Sequence, residues 1–309
     1  MRLPALVCHA DWSADRRKRW LAIARLQPDG KYFPGTTQEV GPLESLWARL
    51  EQTAGGGPVL AGFDFPIGLP RAYACRARID DFLTALKAFD ERFYTVAERQ
   101  DEICLDQPFY PMRRGGRSWP QLLAGLGLAD WSDLLRRCDR RSATRPAACA
   151  LFWTLGGQQV GKAAITGWRH LLAPSLRNRL DLGLWPFQGR LDELLARHRF
   201  VVTETYPAEF YRHLGLNLKG GKGKQAVRRS NTPAFLAWAS AAGVDLDQDL
   251  VNEMRSGFGG DRRGDDRFDA VVGLFGMLNV VLGRRRSGEP AGDEDVRRIE
   301  GWILGQTAG

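Results

Sequence analysis

Pro58-Val59-Leu60-Ala61-Gly62-Phe63-Asp64-Phe65-Pro66 is the stretch that decides the fold. From Val59 to Phe63 nothing is polar, and no apolar/polar alternation breaks the run. A strand with one wet face alternates; an unbroken run marks a strand covered on both faces, as in a parallel sheet. Gly55-Gly56-Gly57 stops a helix just before it, and Leu43, Leu46, Trp47 and Leu50 recur ahead of that stop at helical spacing. Helix, stop and buried strand form the second half of a parallel crossover. Asp64 then sits between Phe63 and Phe65, where an unpaired buried carboxylate costs several kcal/mol.

Working outward, Leu3 to Asp11 is an apolar first strand that ends in Asp11-Trp12-Ser13. Arg19 to Leu26 is the second strand, and Pro28-Asp29-Gly30 turns the chain into a weaker third one, Lys31 to Val40. From Arg71 to Arg199 strand-like runs almost vanish, and helical patterns with Gly and Pro breaks take over. Phe200-Val201-Val202-Thr203-Glu204 resumes the sheet, and Pro207 and Thr232-Pro233 each open a helix. A long apolar helix runs from Asp269 to Leu282. The expectation is an α/β fold: an antiparallel three-strand meander plus parallel strands, flanked by helices. Its core would be residues 1–70 and 200–283, with a mainly helical insertion at 71–199 and a tail at 284–309 carrying a short helix.

Asp11, Asp64 and Glu204 each close an apolar strand run, so parallel neighbours would bring them to one carboxyl edge, where open α/β sheets bind ligands. Asp265-Asp266-Arg267-Phe268-Asp269 adds two more, because Asp266 and Asp269 share a helix face at i and i+3. Clustered carboxylates repel, and hard divalent cations, chiefly Mg²⁺ or Mn²⁺, offset that repulsion. Asp64 would need a buried partner for a structural role, whereas the others each have a structural alternative. Asp266 or Asp269 could cap its helix, Asp11 could cap the turn after the first strand, and Glu204 could pair with an arginine.

Asp11-Trp12-Ser13, Gly62 to Pro70, Glu204-Thr205-Tyr206-Pro207 and Asp265 to Ala270 together resemble an uncharacterised family described as predicted RNase H-like nucleases. Their order and spacing are similar to those of the RNase H and RuvC-resolvase superfamily. There the first strand carries an aspartate, the fourth an acidic residue and the last helix an Asp-x-x-Asp-Ala pattern. The resemblance covers residues 1–70 and 200–283 and implies a nuclease that hydrolyses phosphodiesters with two metal ions about 4 Å apart. It implies Asp11 as the bridging ligand, with Asp64 and Asp266 or Asp269 completing the metal shells. Glu204 departs from the usual resolvase set, as a further ligand, a supporting residue or a base. Resolvases of this resemblance often pair, which makes a homodimer one option and leaves the oligomeric state open.

A net charge of +8 permits a nucleic-acid partner, DNA or RNA, without requiring one. Lys219-Gly220-Gly221-Lys222-Gly223-Lys224 with Arg228 and Arg229 is the densest flexible basic stretch, a candidate clamp for a phosphate backbone. Gly156 to Lys162 fits the GxxxxGK phosphate-loop spacing but continues with Ala163 instead of Ser or Thr, which argues against a nucleotide loop and leaves Lys162 as a substrate-phosphate contact or part of a plain turn between helices. Arg113, Arg114, Arg117 and the Arg136 to Arg145 cluster are weaker candidates. The five cysteines show no CxxC and read as reduced packing residues of a cytoplasmic protein. No run of roughly 18 apolar residues suggests a membrane span. Two other classes fit the same residues. One is a nucleotide-binding phosphotransferase or hydrolase on a related actin-like scaffold, using Gly157 to Lys162. The other is an inactive nucleic-acid-binding protein that keeps the acids for structure.

Overall fold

A computed structural model describes residues 2–113, 115, 117–141, 145–155 and 159–307. The apolar run around Gly62 is β5 (Val59–Phe63), with every residue buried. It lies between β1 (Leu6–Asp11) and β7 (Phe200–Glu204), parallel to both. On the other side of β1 comes β2 (Trp20–Leu26), antiparallel, which also pairs with β3 (Tyr32–Pro34) and β4 (Gln38–Glu39). The expected third strand, Lys31 to Val40, is therefore two short strands. A further one, β6 (Leu182–Leu184), runs parallel to β7 at the far edge. The result is an α/β fold on one mixed sheet, in the order β3-β2-β1-β5-β7-β6.

Period-2 alternation sorts each strand into two cores. Leu6, Cys8, Ala10, Val59, Ala61, Phe63, Phe200 and Val202 face one side. There they meet Leu46 and Leu50 of the crossover helix Leu46–Thr53, and Tyr73, Phe82, Phe109, Phe152 and Trp168 of the 71–199 segment. Val7, Leu60 and Val201 face the other side, against Phe235, Phe268, Val271, Leu274 and Phe275. Most of those belong to the helix Gly264–Val281, which is buried nearly all round, as its almost unbroken apolar run after Asp269 requires. Gly62 and Gly273 let that helix lie close: a Cβ on the first would collide with Met277, and on the second with the His9 ring.

The 71–199 segment is mainly helical, yet it shares an apolar core with the sheet and supplies β6 to it. It is bolted on beside the acidic strand ends. The Trp12 indole donates to Thr166 Oγ1 at 3.1 Å, and the Trp168 indole donates to the Pro66 carbonyl at 2.6 Å. The tail is also part of the seam: Ile303 bridges Glu204 in parallel, and the Leu304 N–H donates to the Glu204 carbonyl at 2.9 Å. No helix among the described residues is long and apolar enough to cross a membrane.

Candidate acidic site at the carboxyl edge of the sheet

β1 and β5 run in register, with Ala10 opposite Phe63, and the Asp64 N–H extends the ladder to the Ala10 carbonyl at 3.0 Å. Asp11 and Asp64 are therefore register mates at the ends of adjacent central strands. They share the pleat face of Val7 and Leu60, the face covered by the helix Gly264–Val281. Asp266 and Asp269 lie in the first turns of that helix. Four of the expected site residues, Asp11, Asp64, Asp266 and Asp269, thus lie at one corner of the fold.

The electrostatics show how tightly these charges feel one another. Burial pushes the Asp11 carboxyl well above its usual range; Asp64, Asp266 and Asp265 add to the rise, and the Lys222 ammonium opposes it. Burial also raises Asp64, again with Lys222 opposing and with Glu204 adding. Asp266 is pushed up to about 6 by burial and by Asp265. Its buried Oδ2 has no hydrogen-bond partner among the described residues. Asp269 is buried and fully engaged: the Tyr211 hydroxyl donates to Oδ1 at 2.7 Å, and Lys222 pairs with Oδ2. The Lys222 ammonium also stands 5.9 Å from the centre of the Tyr211 ring.

Glu204 requires a correction. It ends β7 as expected, but its register mate is Phe63, so its side chain takes the opposite face from Asp64. There Arg136 grips it with two hydrogen bonds of 2.6 Å, and the Ile67 N–H donates to Oε2 at 2.6 Å. The same guanidinium holds Asp139 with two bonds of 2.9 Å. Glu204 is thus the buried partner of an arginine, the structural alternative open to it in the sequence, and both its oxygens accept hydrogen bonds from that clamp. The β7 position that shares Asp64's face is the next one, Thr205, whose buried hydroxyl has no partner among the described residues.

The basic candidates separate as well. Arg228 is buried, and its guanidinium donates to the carbonyls of Gly257, Lys222 and Gly259 at 2.7–2.9 Å. That corrects its expected phosphate role: it braces the loop that carries Lys222. Lys222 itself points to Asp269, while Lys224 is exposed next to the helix Gln225–Ser230. Lys162 lies in the first turn of the helix Val160–Gly167, one turn before Thr166. Gly156, Gly157 and Gln158 of the proposed phosphate loop lie outside the described residues, as do Arg114 and residues 142–144 of the arginine cluster. Before that loop, Ala147 to Leu155 forms no strand, so the strand-to-loop entry of a nucleotide phosphate site is missing.

Among the described residues no three His, Cys, Asp or Glu side chains are disposed, as they stand, to hold one ion. The donor chemistry nevertheless fits a hard divalent cation. Asp11 and Asp64 are oxygen donors raised by burial, and Asp266 keeps a buried oxygen unpartnered. The nearby positive charge that opposes Asp11, Asp64 and Asp266 together is Lys222. Sequence reasoning missed Tyr211 and Thr205 and named Arg136 only within a candidate phosphate cluster, since each acts through a partner at long range or through strand register. No family model, curated protein or solved structure matches this chain.

Proposed function

We propose that this protein is a nuclease of RNase H-like architecture that hydrolyses nucleic-acid phosphodiesters with Mg²⁺ or Mn²⁺. The observation that carries the reading is the in-register pair Asp11 and Asp64 at the carboxyl ends of two adjacent, fully buried parallel strands, faced by Asp266 and Asp269. The antiparallel β1–β3 meander continued by parallel β5 and β7 supports the architecture, being the sheet that the sequence resemblance implies. Asp11, Asp64, Asp266 and Asp269 would hold the metal. Bound there, it would activate water and stabilise the leaving oxygen of a phosphodiester.

The chain's own residues do the rest. The β1–β5 ladder fixes the spacing of Asp11 and Asp64, and Tyr211 orients Asp269 through its hydroxyl. Trp12, Phe63 and Phe65 pack edge to face and tilted beneath the strand ends and keep water out from the insertion side. The net charge of +8 and the exposed Lys219 and Lys224 suit a polyanionic substrate. Cys8, Cys75, Cys104 and Cys138 are free thiols, in keeping with a reducing compartment. The test is cleavage of a panel of DNA, RNA and hybrid substrates with Mn²⁺. Wild type should cut at least one, and Asp11→Asn should cut none; equal cleavage by both proteins would refute the reading.

A further inference from the structure

Lys222 reaches the acidic site from a loop built to present it. Gly220 and Gly221 precede it at φ 97° and 94°, a left-handed backbone that favours glycine. Its carbonyl is held at 2.7 Å by the buried Arg228, whose other donors grip Gly257 and Gly259. The backbone is thus pinned, while the side chain reaches out on a flexible four-carbon stem with more than a third of it exposed (38%). The ammonium pairs with Asp269 Oδ2, lies over Tyr211 and opposes the charge of Asp11, Asp64 and Asp266.

We infer that Lys222 is a tethered cation that neutralises the acidic site in the metal-free protein and is displaced from Asp269 when a divalent ion enters. The inference rests on the metal-site reading above and adds a competitor to it. Asp269 has one oxygen on Tyr211 and the other on Lys222, so a cation that approaches the second oxygen meets the ammonium's charge. Tyr211 is neutral and its hydroxyl bond persists beside a cation; the ammonium is repelled by one. Lys222 therefore leaves, and its pinned backbone keeps the freed charge at the mouth of the site, where an incoming phosphate oxygen can take it up.

Mn²⁺ affinity of wild type and Lys222→Met, measured by calorimetry, tests this. Removing the competitor should tighten Mn²⁺ binding about tenfold and lower the melting temperature of the metal-free protein. Equal or weaker binding by Lys222→Met overturns the inference alone, and absence of binding by both proteins overturns it together with the metal site. A second measurement needs no substitution: amine acetylation of wild type, mapped by mass spectrometry. Mn²⁺ should speed labelling of Lys222 relative to Lys219 and Lys224, and an unchanged or lower ratio refutes displacement.

Discussion

Arg136 holds both carboxylate oxygens of Glu204 at 2.6 Å, across 68 residues of chain and with neither side chain more than 5% exposed. This pair joins the 71–199 segment to the end of β7, and the Glu300 carbonyl, at 3.3 Å, ties in the tail. Its role is to fix the strand ends that carry the acidic site.

Breaking one side of such a pair leaves the other charge buried and unpaired, a loss of about 3–5 kcal/mol. Arg136→Met should lose that much in urea unfolding, and a loss below about 1 kcal/mol would mean the clamp is dispensable. Glu204→Gln should retain Mn²⁺ binding, because Glu204 faces away from Asp64.

Asp11 is a carboxylate whose burial and neighbours oppose its charge. In the metal-free protein Asp11→Asn should therefore raise the melting temperature by about 2–4 °C, the usual trade of stability against function. The same substitution should remove stabilisation by Mn²⁺. Melting curves with EDTA and with Mn²⁺ read both effects, and a fall in the EDTA value would contradict the repulsion described.

Asp266 sets a pH dependence with a definite sign. Its folded pKa, about 6, lies above its unfolded value of about 3.9, so the native state holds the proton more tightly. Its stabilising contribution is complete below about pH 4 and is lost as pH rises through about 6. His9 runs the other way: burial lowers it to about 3, so its contribution is present above about pH 6.5 and lost on acidification. The difference between Asp266→Asn and wild type cancels His9. In EDTA that difference should grow in favour of the variant from pH 5 to pH 7.5, and a flat difference would refute the assignment.

Tyr211→Phe removes the hydroxyl that orients Asp269. Loss of a bond that orients a metal ligand weakens metal binding by about 10–100-fold, while fold stability should change by only about 1 kcal/mol. Unchanged Mn²⁺ affinity would leave Tyr211 as packing.

The unbroken apolar run at Val59–Phe63 made the central strand legible, because only burial on both faces tolerates it. Asp11 and Asp64 were legible for the same reason, as acids that end apolar runs. Glu204 ends its run in the same way and still points elsewhere. Register between distant strands is not written in either strand, and a slip of one residue turns a side chain to the other face. Leu182–Leu184 joins the sheet with three residues, too few to show a period amid helices. Arg136 was one arginine in a cluster, and nothing local marks it as the residue that closes on Glu204.

The most direct measurement is Mn²⁺ titration by calorimetry of wild type beside Asp64→Asn, since Asp64 closes the central strand at the acidic edge. Saturable binding by wild type, lost in Asp64→Asn without loss of the folded state, is the predicted result. Equal binding by the two proteins, or none by wild type, would contradict it.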